Sequence, residues 1–290
     1  MRASAEGTER YVERRPEFRR AAFCRTLFDL EVFSLGIGTC LGDTGDAAGE
    51  SGIDIFDTAI DYRHRRSGRS LGAVPDSLRP EDVVAGIPSM APYFLEDRIE
   101  RSRANLGVDS IDVFYLHNPE TQLGFLTPAE FETNIRRAFA HLERFAGQGR
   151  IRWYGAATWD GFRKKGAHSL PRMVALAIEE GGPERHFRFI QLPFKLWLVQ
   201  AVIERPDNVL TAAASATLSQ RRALGQMSAR IADELPGLAT NAQRAIQFTR
   251  STPGIPVALA GMGRRARAVE NLGVATAPPV GREAYQRLYQ

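Results

Sequence analysis

Runs of apolar residues recur along this chain with polar, helix-periodic stretches between them. Short apolar blocks at 34–39, 53–56, 83–85, 111–116, 152–156, 187–192, 209–214 and 257–260 carry no alternation of polarity. Strands that are apolar on both sides belong to parallel sheets covered on both faces. Helical spacing appears between several of them. In 130–145, Phe131, Ile135, Ala138, Phe139, Leu142 and Phe145 fall on one stripe, which predicts an amphipathic helix. Leu95, Ile99, Arg103 and Leu106 suggest a second helix, and 170–180 and 241–250 continue the alternation, with Thr240 placed to cap the last. Residues 25–27 and 31–33 read as a hairpin around Asp29, ahead of the first strand.

Eight strands separated by helices predict an α/β chain folded as a (β/α)8 barrel. The competitor is an open dinucleotide-binding sheet, which needs a glycine-rich turn feeding a helix. Gly36, Gly38 and Gly42 approach that pattern, but residues 43–51 are too short and glycine-rich for the helix. Several barrel helices look shortened or missing, since 43–51, 70–79 and 195–208 are brief for parallel crossovers. Residues 1–22 are polar and aperiodic and are expected as an N-terminal extension outside the core, leaving 23–290 as a single barrel domain.

Composition narrows the function. The chain has 290 residues, 43% of them apolar, enough for a large core. Its net charge of +4 comes from 38 basic and 34 acidic residues spread along the chain, which describes a mixed surface rather than a nucleic-acid face. The two cysteines, Cys24 and Cys40, form no metal-ligand spacing, so neither a disulfide framework nor a metal site is expected. No window holds the roughly 18 apolar residues of a membrane span, and the charged N-terminus lacks a signal-like apolar core. A cytoplasmic setting follows as the expectation, with no membrane partner.

The candidate chemistry sits at strand ends. Asp57 closes the apolar run 53–56, Tyr62 follows in a polar loop, and His117 ends 111–116 just before Asn118-Pro119. Polar groups at the C-terminal ends of parallel strands are where barrels build active sites.

These segments resemble the aldo/keto reductases, in the family's order. Leu35-Gly36-Ile37-Gly38-Thr39 is similar to the family's first strand, and Gly52 through Tyr62 to its Asp-to-Tyr segment. Ile99-Glu100-Arg101-Ser102 and Leu106 through Asp112 resemble its third helix and fourth strand. His117-Asn118-Pro119 resembles its catalytic histidine, and Gly149 through Gly155 its fifth strand. Gly261, Arg267, Glu270 and Asn271 resemble its final cofactor segment.

The resemblance implies an NADPH-dependent oxidoreductase that reduces an aldehyde or ketone by hydride transfer. Tyr62 is then the general acid, and His117 is the group that orients and polarises the carbonyl. Asp57 would normally hold a lysine that lowers the tyrosine's pKa. For the cofactor NADP(H), it implies Thr158, Gln191 and Gly261, with Arg267 on the 2′-phosphate and Glu270 and Asn271 toward the adenine. An arginine cluster suits a phosphate, and Arg264 and Arg265 add to it.

The chain also departs from the family. Lys164, Lys165 and Lys195 are its only lysines, so the catalytic lysine expected after the third strand, near 83–90, is absent. Without that cation Tyr62 should titrate nearer ~10. Ala157 stands where a serine hydroxyl is usual, and Lys195 where an asparagine is. The alternative reading is therefore a catalytically weak or inactive relative that binds cofactor or a partner. The substrate class implied is a small carbonyl compound, and the oligomeric state is not legible.

Overall fold

The computed structural model describes residues 2–39, 52–58, 90–159, 161–163, 168–193, 210–215, 217, 233–262 and 264–287. Tyr62, Cys40, Lys195, the expected strand at 83–85 and the brief segments 43–51, 70–79 and 195–208 all lie outside the described residues.

Two compact units emerge, each with its own core. In the first, residues 90–191, helices alternate with parallel strands. Helix α3 (Pro92–Leu106) leads to β5 (Ile111–His117), α4 (Pro128–Gly147) to β6 (Ile151–Ala157), and α5 (Leu170–Gly181) to β7 (Phe187–Pro193), whose first five residues fall in this unit. β6 pairs in parallel with β5 on one side and β7 on the other.

The residues explain these elements. α4 starts at Thr127, whose hydroxyl accepts the Glu130 amide (3.3 Å) while Glu130 Oε2 accepts the Thr127 amide (2.8 Å), with Pro128 fitting the first turn. Its buried face is the expected stripe: Phe131, Ile135, Ala138, Phe139, Leu142 and Phe145. Phe139, Tyr154 of β6 and Phe187 of β7 then meet with ring centroids 5.1–5.6 Å apart. Gly155 allows β7 to approach, because a side chain there would collide with the Phe189 carbonyl. In α3, Leu95 and Ile99 are buried as expected, but Leu106 is exposed. The helix stops there with Gly107 in the left-handed region (φ 64°), which turns the chain away before the stripe is complete.

In the second unit, residues 3–58 and 212–287, the hairpin is present as β1 (Cys24–Leu27) paired antiparallel with β2 (Leu30–Phe33). β3 (Leu35–Gly38) pairs in parallel with both β4 (Phe56–Asp57) and β9 (Val257–Gly261), and β9 pairs with β8 (Thr211–Ser215). Helices α6 (Asn241–Arg250), α7 (Arg265–Leu272) and α8 (Arg282–Arg287) complete it. Thr240 caps α6 as expected, in a capping box with Gln243.

Two expectations are corrected here. The apolar run 53–56 was expected as a buried strand. Strand pairing is confined to Phe56 and Asp57, Phe56 is exposed, and Ile53 is buried beside Gly52, whose positive φ bends the chain. Residues 1–22 were expected to be aperiodic and outside the core. They instead contain α1 (Ala5–Glu13), capped by Ser4, and α2 (Pro16–Arg20). Val12 is fully buried, and Phe18 packs edge-on against Phe23 and Phe33 at 5.0 and 5.3 Å. Few apolar residues suffice for such short helices, so no period is visible in the sequence.

Candidate active site

The candidate residues fall into two rows at strand C-terminal ends, one in each unit. In the first unit the β5–β6–β7 register puts His117 opposite Ala157, and Ala157 opposite Gln191. Backbone bonds lock this edge. The Asn118 amide donates to the Ala157 carbonyl (2.7 Å), and the Thr158 amide to the Gln191 carbonyl (3.0 Å). His117 is exposed and Gln191 is buried. Asn118 sits in the left-handed region (φ 50°, ψ 50°), which asparagine tolerates, and folds its amide back to within 3.2 Å of His117 Nε2. Pro119 then opens a short 3-10 helix, Pro119–Gly124.

Thr158, expected at the cofactor, is buried and already engaged. Its hydroxyl donates to Glu120 Oε1 (2.5 Å) and accepts the Gly161 amide (2.8 Å). Glu120 Oε1 also accepts the Trp159 amide (3.1 Å). His168 closes this corner, buried, stacked on Phe162 and edge-on to Phe131. Burial holds its imidazole below the usual histidine range, against the opposing pull of Glu120. Sequence reasoning missed Glu120. Its signal was an acidic residue in the first turn after His-Asn-Pro, where a helix N-terminus favours negative charge.

In the second unit, Gly38 stands in register with Asp57 on one side and Gly261 on the other. The Thr39 amide donates to the Asp57 carbonyl (3.0 Å). Gly261 ends β9 and is exposed. α7 begins four residues later, and no side chain caps its first turn. Arg264, Arg265 and Arg267 fall at that end, adding positive charge to the helix dipole. Such an end can hold a phosphate. Further along α7, Asn271 is buried, and the Glu270 carbonyl accepts Gln243 Nε2 (2.6 Å), tying the helix to α6. Tyr62 lies outside the described residues.

Among the described residues no group of three or more histidine, cysteine or acidic side chains could hold a metal ion. No described helix is long and apolar enough to cross a membrane. Cys24 is half-buried, and burial pushes its thiol up to about 11, away from nucleophilic chemistry.

The family model for aldo/keto reductases matches residues 43–179. The fold is similar to that of an aldo-keto reductase from Bacillus halodurans in its holo form, at 17% identity and TM-score 0.59, covering 91% of this chain and 95% of that one. It is likewise similar to an aldo/keto reductase from Klebsiella pneumoniae in complex with NADP and acetate (18% identity, TM-score 0.58, 90% and 91% covered). A third match is an aldo-keto reductase enzyme from a Medee basin deep-sea metagenome library (18% identity, TM-score 0.62, 90% and 92% covered). Aldo-keto reductases fold as (β/α)8 barrels, and the seven parallel strands found among the described residues follow the expected order. Residues 43–179 of this chain thus match the aldo/keto reductase family model, and its fold is similar to that of solved aldo-keto reductases over about nine-tenths of its length.

Proposed function

We propose that this protein is an NADPH-dependent reductase of aldehydes or ketones. The observation that carries the reading is the row His117–Ala157–Gln191 at the C-terminal ends of three paired parallel strands. Bound NADPH would supply the hydride. The chain's part is to hold the carbonyl, through an N–H of His117 directed at its oxygen, and to deliver a proton to that oxygen from the Tyr62 hydroxyl. A neutral tyrosine donates a proton without help from a lysine, so reduction remains chemically available at neutral pH. Asp57, in register with Gly38, which in turn pairs with Gly261, ends its own strand within the second unit.

The chain's residues fit the cofactor in part. Arg264, Arg265 and Arg267 at the start of α7 suit the 2′-phosphate, favouring NADP(H) over NAD(H), with Glu270 and Asn271 toward the adenine. Gln191 is left to hold the carboxamide, because Ala157 has no hydroxyl and that of Thr158 is bonded to Glu120. We assign the protein a single barrel domain over 23–290 with shortened helices, a cytoplasmic setting, and no nucleic-acid partner.

One observation favours a second reading, a relative that binds cofactor but turns over weakly or not at all. No lysine precedes Lys164, so the lysine that the family resemblance implies after the third strand is missing from the sequence. Calorimetric titration with NADPH and NADH, followed by an aldehyde panel, separates the two. NADPH-selective binding with turnover supports the reductase, and Tyr62→Phe should then abolish reduction while leaving NADPH affinity nearly intact. Binding without turnover supports the second reading. No binding of either nucleotide removes both.

A further inference from the structure

We propose that Glu120 is a positioning residue for His117, clamping the turn after β5 to the turn after β6. The role rests on the reductase reading above.

The geometry of this corner is specific. His117 is the last residue of β5, and the chain reverses at once through Asn118 and Pro119. The Asn118 amide, bonded to the Ala157 carbonyl at 2.7 Å, carries the β5–β6 ladder one step beyond the histidine. Glu120 adds the next connection. One of its oxygens accepts both the Thr158 hydroxyl (2.5 Å) and the Trp159 amide (3.1 Å), and Thr158 in turn accepts the Gly161 amide (2.8 Å). A single carboxylate oxygen thus holds two adjacent residues of the neighbouring turn directly, and Gly161 through the Thr158 hydroxyl. Bonds to an ionised acceptor are roughly twice as strong as neutral ones.

The surroundings leave the turn little alternative. Thr158, Gly161 and His168 are buried, and a side chain at 161 would strike both the His168 ring and the Thr158 hydroxyl. Phe131 of α4 backs the His168 ring and ties the corner to the core. Trp159, by contrast, turns outward and is 47% exposed. With Glu120 truncated, the Thr158 hydroxyl and the Trp159 amide would lose their shared acceptor. The two turns could then separate, and His117 would lose its fixed aim while α4, β5 and β6 remain intact.

Glutamine at this position keeps a carbonyl oxygen for both donors, so Glu120→Gln should preserve the clamp that Glu120→Ala removes. Three measurements on the full chain test this: kinetics of aldehyde reduction by NADPH, amide hydrogen exchange, and the ring-nitrogen resonances of His117. For Glu120→Ala, kcat should fall about tenfold or more with NADPH affinity within about twofold, the loss expected when roughly one hydrogen bond's worth of positioning disappears. The Trp159 amide should lose protection, the His117 resonances should shift, and Glu120→Gln should return all three toward wild type.

A merely structural role would lower Tm but leave kcat and the His117 ring unchanged, and that result overturns the proposal. So does a glutamine variant as impaired as alanine. If the wild-type chain reduces no aldehyde, the reductase reading fails on its own, and exchange with the His117 resonances still decides whether the clamp exists. Should the alanine variant not fold, Thr158→Val removes one of the two donors. It should give a smaller loss of the same kind, and no loss at all counts against the clamp.

Discussion

Asp54 shows how one carboxylate can oppose folding at neutral pH. Both its oxygens lie 3.1 Å from the Phe33 amide, and burial pushes its pKa up to about 7, more than the amide bonds to Phe33 and to its own backbone pull it down. Between about pH 4 and 7 the folded chain keeps a proton that the unfolded chain releases. Stability therefore falls as pH rises through that window and stays reduced above it. Asp54→Asn keeps an acceptor for Phe33 and cannot ionise. It should unfold at a higher urea concentration than wild type at pH 8, by on the order of 2–4 kcal/mol, with the gap closing near pH 4. An equal gap at both pH values would sink this account. Residues of this kind differ in how far the sequence betrays them. His117 was legible because it ends an apolar strand just ahead of Asn-Pro. The bonds of Glu120 and Asp54 were not, because their partners at Thr158, Trp159 and Phe33 are brought to them only by folding; for Glu120 the sequence offered no more than an acidic residue after His-Asn-Pro.

At the scale of elements, legibility follows length and capping. α4 has 20 residues, six of them on one buried stripe, and begins at a capping box, so both its face and its start were readable. The nine-residue α1 buries only Val12, and a single apolar position defines no period. β4 was misread because its apolar run suggested a strand that Gly52 bends away. The cap of α4 is open to test. Thr127→Ala removes the acceptor for the Glu130 amide and the hydroxyl that meets Glu130 Oε2. It should cost about 1 kcal/mol, read as a drop in urea midpoint without change in NADPH affinity. A neutral substitution would mean that Pro128 and the buried stripe hold the helix start alone.

For the whole molecule, the succession of strands, and the positions of His117, Asp57 and Gly261 at strand ends, followed from the alternation of apolar runs and helices. What anchors the second unit did not. Arg250 on α6 is almost fully buried, and among the described residues it pairs with no carboxylate. Its guanidinium instead donates to Ser34 Oγ (3.0 Å), Gln247 Oε1 (2.9 Å) and the carbonyls of Val274 (2.6 Å), Ala277 (3.1 Å) and Ala22 (3.4 Å), and it lies over the Phe23 ring. Burial, with Arg25 adding to it, pulls its pKa down to about 9, still protonated at neutral pH. One side chain thus gathers segments from 22 to 277. Arg250→Met would leave several buried acceptors unpaired, costing about 3 kcal/mol or more and lowering Tm by on the order of 6–10 °C. Arg250→Lys should recover little, because an ammonium cannot reproduce the planar fork. Full recovery by lysine would show that charge alone is required.

The two short N-terminal helices bear on how the protein behaves in solution. Tyr11 reaches the Gly52 carbonyl at 3.0 Å, and Phe18 covers Phe23 and Phe33. A polypeptide beginning at residue 23 would lose that cover and present two aromatic rings to water beside the β1–β2 hairpin. Clustered exposed apolar surface promotes self-association, so such a shortened form should run as oligomers in size-exclusion chromatography. The segment that looks most dispensable in the sequence would then act as the protein's own guard against aggregation.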